Sequence, residues 1–205
     1  MSPSNCLGFF MKKNNCEPFA QLNRLVEKNL GKYMNSTQIT LTVISAQQGD
    51  KSAFNLLCRH LYRPSFLFAM KLCKQTDLAK DITQEAWSVV AKDIRKLKEP
   101  SVFKAWLFRV VYHKFIDTTR KNRHLERFQP DKHEQARDMT SSNEQSIDLV
   151  KLINSLPDTE RHSVYLFYLE QMSISDIALI TDVAVGTVKS RLHRARAQLA
   201  IGLNE

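Results

Sequence analysis

A chain of 205 residues fits one large or two small domains, and only five Gly and six Pro with few alternating runs point to an all-α protein. No apolar run approaches the roughly 20 residues needed to span a bilayer, which argues against membrane insertion by this chain. A formal charge of +9 favours a polyanionic partner, most simply nucleic acid, over a merely solvated basic surface.

The charge is unevenly spread. Residues 1–35 carry +3, residues 36–129 carry +9, residues 130–148 carry −3, and residues 149–205 are neutral. Residues 1–35 read as an extension with little structure, and recognisable patterning begins just after Met34, an alternative start. Phe9, Phe10 and Met11 precede Lys12 and Lys13, the reverse of the order in a signal peptide. Cys6, Cys16, Cys58 and Cys73 show no paired metal-ligand spacing. Cys58 and Cys73 are expected as buried thiols in a reducing cytoplasm. Nothing implies a metal or another cofactor.

Helical periodicity runs through most of 38–122, punctuated at Gly49-Asp50. Asp77 is placed to cap a long helix over 78–96. Leu78, Ile82, Ala86 and Val89 make its core stripe. Asp81, Gln84 and Ser88 project roughly opposite, with Glu85 beside them and Trp87 toward the same outer side. An acidic-polar ridge beside a large aromatic suits a protein partner; a solvated face with a half-buried Trp is the alternative.

Lys98-Glu99-Pro100-Ser101 reads as a loop, because Pro100 cannot continue the preceding helix. The next helix, 103–121, is apolar over much of its circumference: Phe103, Trp106, Leu107, Phe108, Val110, Val111, Tyr112, Phe115 and Ile116. Most of these must be core. Lys104, Arg109, Lys114, Arg120, Lys121 and Arg123 ring it. Cations around aromatics beside a loop suit single-stranded DNA, and Lys96–Val102 is the place for an extruded base. A core helix with a basic rim is the competing account.

Residues 123–146 are polar, with Pro130, Ser141, Ser142 and Asn143, and read as a linker. Leu149, Leu152, Ile153 and Leu156 restart a helix, and Pro157 fits the first turn of the next. Ser173 can cap a further helix with Asp176 completing a capping box, while Met172 and Ile177 form a hydrophobic staple. Ile174, Ile177, Ala178 and Ile180 supply its buried side. After the short turn Thr181-Asp182-Val183-Ala184, the run from Val185 to Leu199 puts Val185, Val188, Leu192, Ala195 and Leu199 on one stripe. Gly186, Ser190, His193 and Ala197 lie opposite. Lys189 and Arg196 flank that face on one side, Thr187 and Arg194 on the other. Helix, short turn and basic second helix make a helix-turn-helix whose small-residue face suits the major groove. An ordinary helical hairpin with a basic face is the plainer possibility.

Both halves resemble one family, the bacterial sigma factors of the sigma-70 superfamily, in the two-domain extracytoplasmic function (ECF) group. Ala46-Gln-Gln-Gly-Asp-Lys-Ser-Ala-Phe54 resembles the family's opening motif. Asp81-Ile-Thr-Gln-Glu85 with Trp87 is similar to the segment that grips the β′ clamp. Phe103-Lys-Ala-Trp-Leu-Phe-Arg109 resembles the helix after the minus-ten loop. Leu156-Pro157 and Ile177 through Arg196 resemble the domain that reads the minus-thirty-five element.

The resemblance implies two small helical domains, a region 2-like bundle at 36–122 and a region 4-like helix-turn-helix at 148–205, joined by a flexible linker at 123–147. It assigns Asp81, Gln84, Glu85 and Trp87 to the polymerase contact. It assigns Lys96, Lys98, Ser101, Lys104, Arg109 and Lys114 to minus-ten DNA. Thr187, Lys189, Ser190, His193, Arg194 and Arg196 go to minus-thirty-five DNA; from their place on the helix and the fit of cations to guanine O6 and N7, Arg194 and Lys189 are read as the base readers and Arg196 as a phosphate contact. Implied partners are core RNA polymerase, through its β′ clamp and β flap, promoter DNA and an anti-sigma factor. The implied function is promoter-directed initiation with duplex melting, in the cytoplasm and without catalysis by the chain itself.

Many family members have Gly where this chain has Asp182 and Pro where it has Ala184. Aspartate tolerates a left-handed conformation better than most residues, so the turn is expected to survive. Two other readings compete. A stand-alone helix-turn-helix regulator leaves the 78–96 ridge unexplained. A nucleic-acid-processing enzyme needs a catalytic constellation, but His60, His113, His124, His133, His162 and His193 are scattered.

Overall fold

A computed structural model describes residues 34–126 and 151–202, with side chains for 34–121 and 151–201. The expectations for 1–33 and 127–150 fall outside the described residues. Among those described there is no strand. The chain divides into two compact units, one made chiefly of the helices before residue 127 and the other chiefly of residues beyond 150.

In the first unit, α1 spans Ser36–Gln47, α2 Lys51–Cys73, α3 Thr76–Asp93 and α4 Phe103–Glu126. Asn35 starts α1 with a reciprocal capping box: the Gln38 amide donates to Asn35 Oδ1 at 2.8 Å, and the Asn35 amide to Gln38 Oε1 at 3.0 Å. Gly49 turns the chain at a φ of +100°, and Asp50 then caps α2 through the amides of Ser52 and Ala53. The Ser52 hydroxyl and these amides hold the Asp50 carboxyl below the usual carboxylate range. Lys74 closes α2 in the left-handed region without a glycine.

Asp77 does not cap α3. Gln75 occupies the cap position without a side-chain bond, and Asp77 sits in the first turn, paired with Lys80 at 3.0 Å. There it favours the helix through its charge near the N-terminus. Between α3 and α4 the chain makes two single 3₁₀ turns, Ile94–Lys96 and Pro100–Val102. Their position is set from α1: Gln47 Nε2 donates to the Ile94 carbonyl at 2.9 Å and the Leu97 carbonyl at 2.7 Å. Helix α4 continues to Glu126, five residues past the helix end expected at 121.

The core of this unit is apolar and closely packed. Phe68 of α2 meets Phe108 of α4 at 5.2 Å between ring centroids. Leu57, Leu61, Ile82, Val90, Phe103, Leu107 and Val111 are buried with them. Cys58 and Cys73 are only half-buried, less than expected, and burial pushes both thiols up.

In the second unit a helical stretch at 151–155 leads to Pro157, which caps α5 (Asp158–Val164) rather than entering it. The helix continues as a π-helical turn, Tyr165–Leu169. Gln171 takes a φ of +54°, and α6 (Ile174–Thr181) and α7 (Val185–Gly202) follow. The capping box of α6 forms as the residue spacing implies: the Asp176 amide donates to Ser173 Oγ at 3.0 Å, and the Ser173 amide to Asp176 Oδ2 at 3.2 Å. Met172 and Ile177 are both buried, as a staple requires, whereas Ile174 is half-buried. Asp182 adopts the left-handed conformation at a φ of +55°, so the turn survives without glycine.

Candidate functional site

The exposed face of α3 is polar and acidic. Asp81, Gln84, Glu85 and Ser88 are exposed, and with Val89, Lys92 and Lys114 they line a shallow open concavity of roughly 540 Å3. Lys114, expected on the DNA rim of α4, instead reaches this concavity and pairs with Glu85 Oε2 at 3.0 Å. Helix α4 therefore presents that cation to the acidic ridge.

Trp87 does not belong to the outer face. It is 8% exposed, its Nε1 donates to Ser65 Oγ at 3.1 Å, and it stands edge-on to Phe54 at 6.1 Å. The core stripe of α3 is Ala79, Ile82, Thr83, Ala86, Trp87 and Val90, rotated by about one position from the expected stripe. Leu78 and Val89 are half-buried. The rotation is possible because Thr83 satisfies its hydroxyl within the helix, donating to the Ala79 carbonyl at 2.6 Å. Ser65 likewise bridges two partners, donating to the Tyr62 carbonyl while accepting from Trp87. Trp87 thus supports the ridge from beneath.

The Lys96–Val102 loop is exposed along most of its length. Lys96 pairs with Asp93 at 2.6 Å, Ser101 Oγ donates to Glu99 Oε1 at 2.8 Å, and Lys98 is exposed. Lys104 lies over the Phe108 ring at 5.8 Å, and Arg109 Nε donates to His113 Nε2 at 3.3 Å. Of the apolar residues of α4, Phe103, Leu107, Phe108 and Val111 are buried, while Trp106, Val110, Tyr112, Phe115 and Ile116 are half-buried. Partly accessible aromatics and fixed cations therefore follow the loop. Gln47, which pins the loop, was not singled out from sequence; it sits inside the Ala46–Phe54 motif, but nothing local shows that its partners lie 47 and 50 residues away.

On α7, Val188, Leu192, Ala195 and Leu199 form the buried stripe, but Val185 is 42% exposed because it stands at the first position of the helix. Gly186, Lys189, Ser190, His193 and Ala197 are exposed and Thr187 is half-buried. A Cβ at Gly186 would meet no atom within 4 Å, so this end of the helix is open to approach. Ser190 Oγ donates to the Thr187 carbonyl at 2.9 Å. Arg194 and Arg196 both have partners within their own unit. Arg194 is bound to Glu160 of α5, with Nε 3.0 Å and Nη2 2.8 Å from Oε1. Arg196 Nε donates to Tyr168 OH at 3.0 Å, and its guanidinium lies 6.0 Å from the Phe167 ring centroid.

Glu160 and Arg161 were missed because Asp158-Thr-Glu-Arg-His162 reads as a solvated helix start. Both are buried. Arg161 donates to the carbonyls of Asn154 at 3.3 Å and Leu156 at 3.1 Å and pairs with Asp158. Burial alone would raise the Glu160 pKa, but hydrogen bonds from Thr159 and Arg194 prevail and hold its carboxyl below the usual value.

Two stretches match models of one family: residues 57–125 match sigma-70 region 2, and residues 146–199 match sigma-70 region 4. The ECF RNA polymerase sigma factor SigM of Mycobacterium tuberculosis is 30% identical over 157 residues, covering 74% of this chain and 78% of that protein. The chain belongs to the ECF group of sigma-70 RNA polymerase sigma factors. The ECF sigma-E factor of Haemophilus influenzae is 29% identical over 168 residues, covering 75% of this factor and 88% of the relative. Among solved structures, the sigma factor RpoE of Bartonella quintana, determined with the anti-sigma factor NepR, is similar with a TM-score of 0.61. Identity there is 25%, over 74% of this chain and 96% of that one. A factor of this family directs transcription initiation by RNA polymerase. Among the described residues no cluster suits a metal ion, and no helix is long and apolar enough to cross a membrane.

Proposed function

We propose that this factor docks on core RNA polymerase through the α3 ridge, directs the enzyme to specific promoters and melts the duplex there. The observation that carries this reading is the exposed Asp81, Gln84 and Glu85 face on a unit that also holds the Gln47-pinned loop. Asp81, Gln84 and Glu85 meet the β′ clamp, with Trp87 holding their helix in place from the core. The loop residues Lys96, Lys98 and Ser101 receive the unpaired minus-ten strand, and Lys104 and Arg109 lie along its path. Melting is favoured because these groups bind the extruded strand and not the duplex. Lys114 acts on the ridge side.

The second unit reads the minus-thirty-five element through Thr187, Lys189, Ser190, His193 and Arg194, with Arg196 on the backbone, and meets the β flap. The domain plan belongs to the same proposal: an extension at 1–35, a polymerase and minus-ten domain from 36, a tether ending near 147, and a minus-thirty-five domain from 148. The factor works in the cytoplasm, catalyses nothing itself and answers to an anti-sigma partner, as the Bartonella relative's complex suggests by similarity.

The test is transcription in vitro from a genomic fragment library by core polymerase with and without the factor. Factor-dependent start sites sharing upstream sequence elements support the proposal. No factor-dependent start, with a folded factor and active core, refutes it.

A further inference from the structure

Thr159, Glu160 and Arg194 form a short hydrogen-bond chain from the start of α5 to the exposed side of α7. The Thr159 hydroxyl donates to Glu160 Oε2 at 2.6 Å, and Arg194 Nε and Nη2 approach Oε1 at 3.0 and 2.8 Å. The two ends of the pair differ sharply. The Glu160 side chain is 8% exposed and that of Arg194 56%. A buried carboxylate needs a partner, and here the partner is a cation that still faces solvent. Both contacts use one edge of the guanidinium. Nη1 and the outer hydrogen of Nη2 belong to the edge that these contacts leave unused, on a side chain that is largely exposed. A guanidinium with one edge fixed offers its other edge as a preset fork, the geometry that matches the O6 and N7 acceptors of guanine.

We propose that Glu160 is a positioning residue for promoter recognition: it holds Arg194 in one orientation, so that the free edge of the guanidinium reads a guanine in the upstream element. This rests on α7 being the DNA-reading helix. Glu160 touches no DNA. Its effect is to restrict the rotamers of Arg194 before binding, which sharpens the choice of base rather than strengthening contact with every sequence.

The test selects DNA with holoenzyme assembled from core bacterial RNA polymerase and the full chain. Duplexes carry a randomised upstream hexamer, and enrichment gives the base preference at each position. Arg194→Ala should lower the guanine preference at one or two adjacent positions by about tenfold. Glu160→Met fills the buried volume and removes both acceptor oxygens. It should lower preference at the same positions by about three- to tenfold, with no further fall when added to Arg194→Ala. Glu160→Gln keeps an acceptor and should stay within about twofold of the unsubstituted factor. If Glu160→Met does not fold, as judged by circular dichroism, Glu160→Asp takes its place with the same expectation, because its carboxylate is one methylene short.

Unchanged preference in a folded Glu160→Met factor overturns the proposal, and so does an equal fall on the Arg194→Ala background. The pair would then merely clamp α5 to α7. Uniform weakening of all sequences by Arg194→Ala also overturns it. A holoenzyme with the unsubstituted factor that enriches no upstream sequence sinks the assignment of α7 itself, and the proposal with it.

Discussion

Helices α3 and α7 each carry a charged outer face, yet the two faces are built differently. On α3 the acids stand over an apolar core, and the one described ion pair to that ridge comes from Lys114 of the neighbouring helix. On α7 two of the three arginines are tied to groups of the same unit, Arg194 to a buried acid and Arg196 to a tyrosine. The acidic ridge is thus a surface defined by exposure, open to a protein partner of opposite charge. The basic helix is a surface defined by orientation, with Arg194 and Arg196 held in set directions. A clamp contact needs complementary charge over an area, whereas base reading needs donors in set directions.

The comparison would break first at Trp87. If Trp87 supports the ridge from the core, Trp87→Ala should lower the stability of the first unit by about 3–5 kcal/mol in chemical denaturation. A Trp on the outer face would cost little stability. Gln47→Ala removes two hydrogen bonds that pin the loop. It should cost about 1–2 kcal/mol and reduce transcription more from duplex templates than from templates already opened at minus ten. Equal loss on both would separate the loop from strand capture.

Acid sharpens the contrast from the other side. The folded-state pKa of Glu160 is depressed, so its carboxylate stabilises the fold above the ordinary glutamate value of about 4.3, and that contribution fades as pH falls through the folded value. The melting temperature of the unsubstituted factor should exceed that of Glu160→Gln at pH 7, and the gap should narrow on titration to pH 3. A gap independent of pH would mean that the charge of Glu160 contributes nothing to the fold. The smallest effect is expected at Gly186. Gly186→Ala meets open space, so stability should rise by up to about 1 kcal/mol, while upstream-element binding by the holoenzyme weakens. Unchanged binding would show that DNA does not approach that end of α7.

The extent to which these surfaces were legible in sequence follows the same division. Periodicity located the buried stripe of α7 from Val188 to Leu199, because four small or aliphatic residues recur there without interruption. The capping box at Ser173, the left-handed Asp182 and the helices around Gly49 were legible because each depends on neighbours within a few residues. Trp87 was misplaced because Thr83 counts as polar in any pattern, and only its self-contained hydroxyl lets it turn inward with the tryptophan. The Arg194–Glu160 pair is not legible in sequence because Glu160 lies 34 residues away, in a charged run that looks solvated. Local chemistry names a helix face; partners from other helices decide which of its charges are available.

On the proposed function, the α3 ridge docks this sigma factor on polymerase while Trp87 serves it only from below. The direct measurement is an equilibrium titration of core RNA polymerase with the unsubstituted factor and with Asp81→Arg combined with Glu85→Arg. These positions are exposed, so the double variant should keep its melting temperature within about 2 °C. Its affinity for core polymerase should fall by about a hundredfold, because two carboxylates become like charges facing the partner surface. A folded double variant that binds with undiminished affinity would contradict the account.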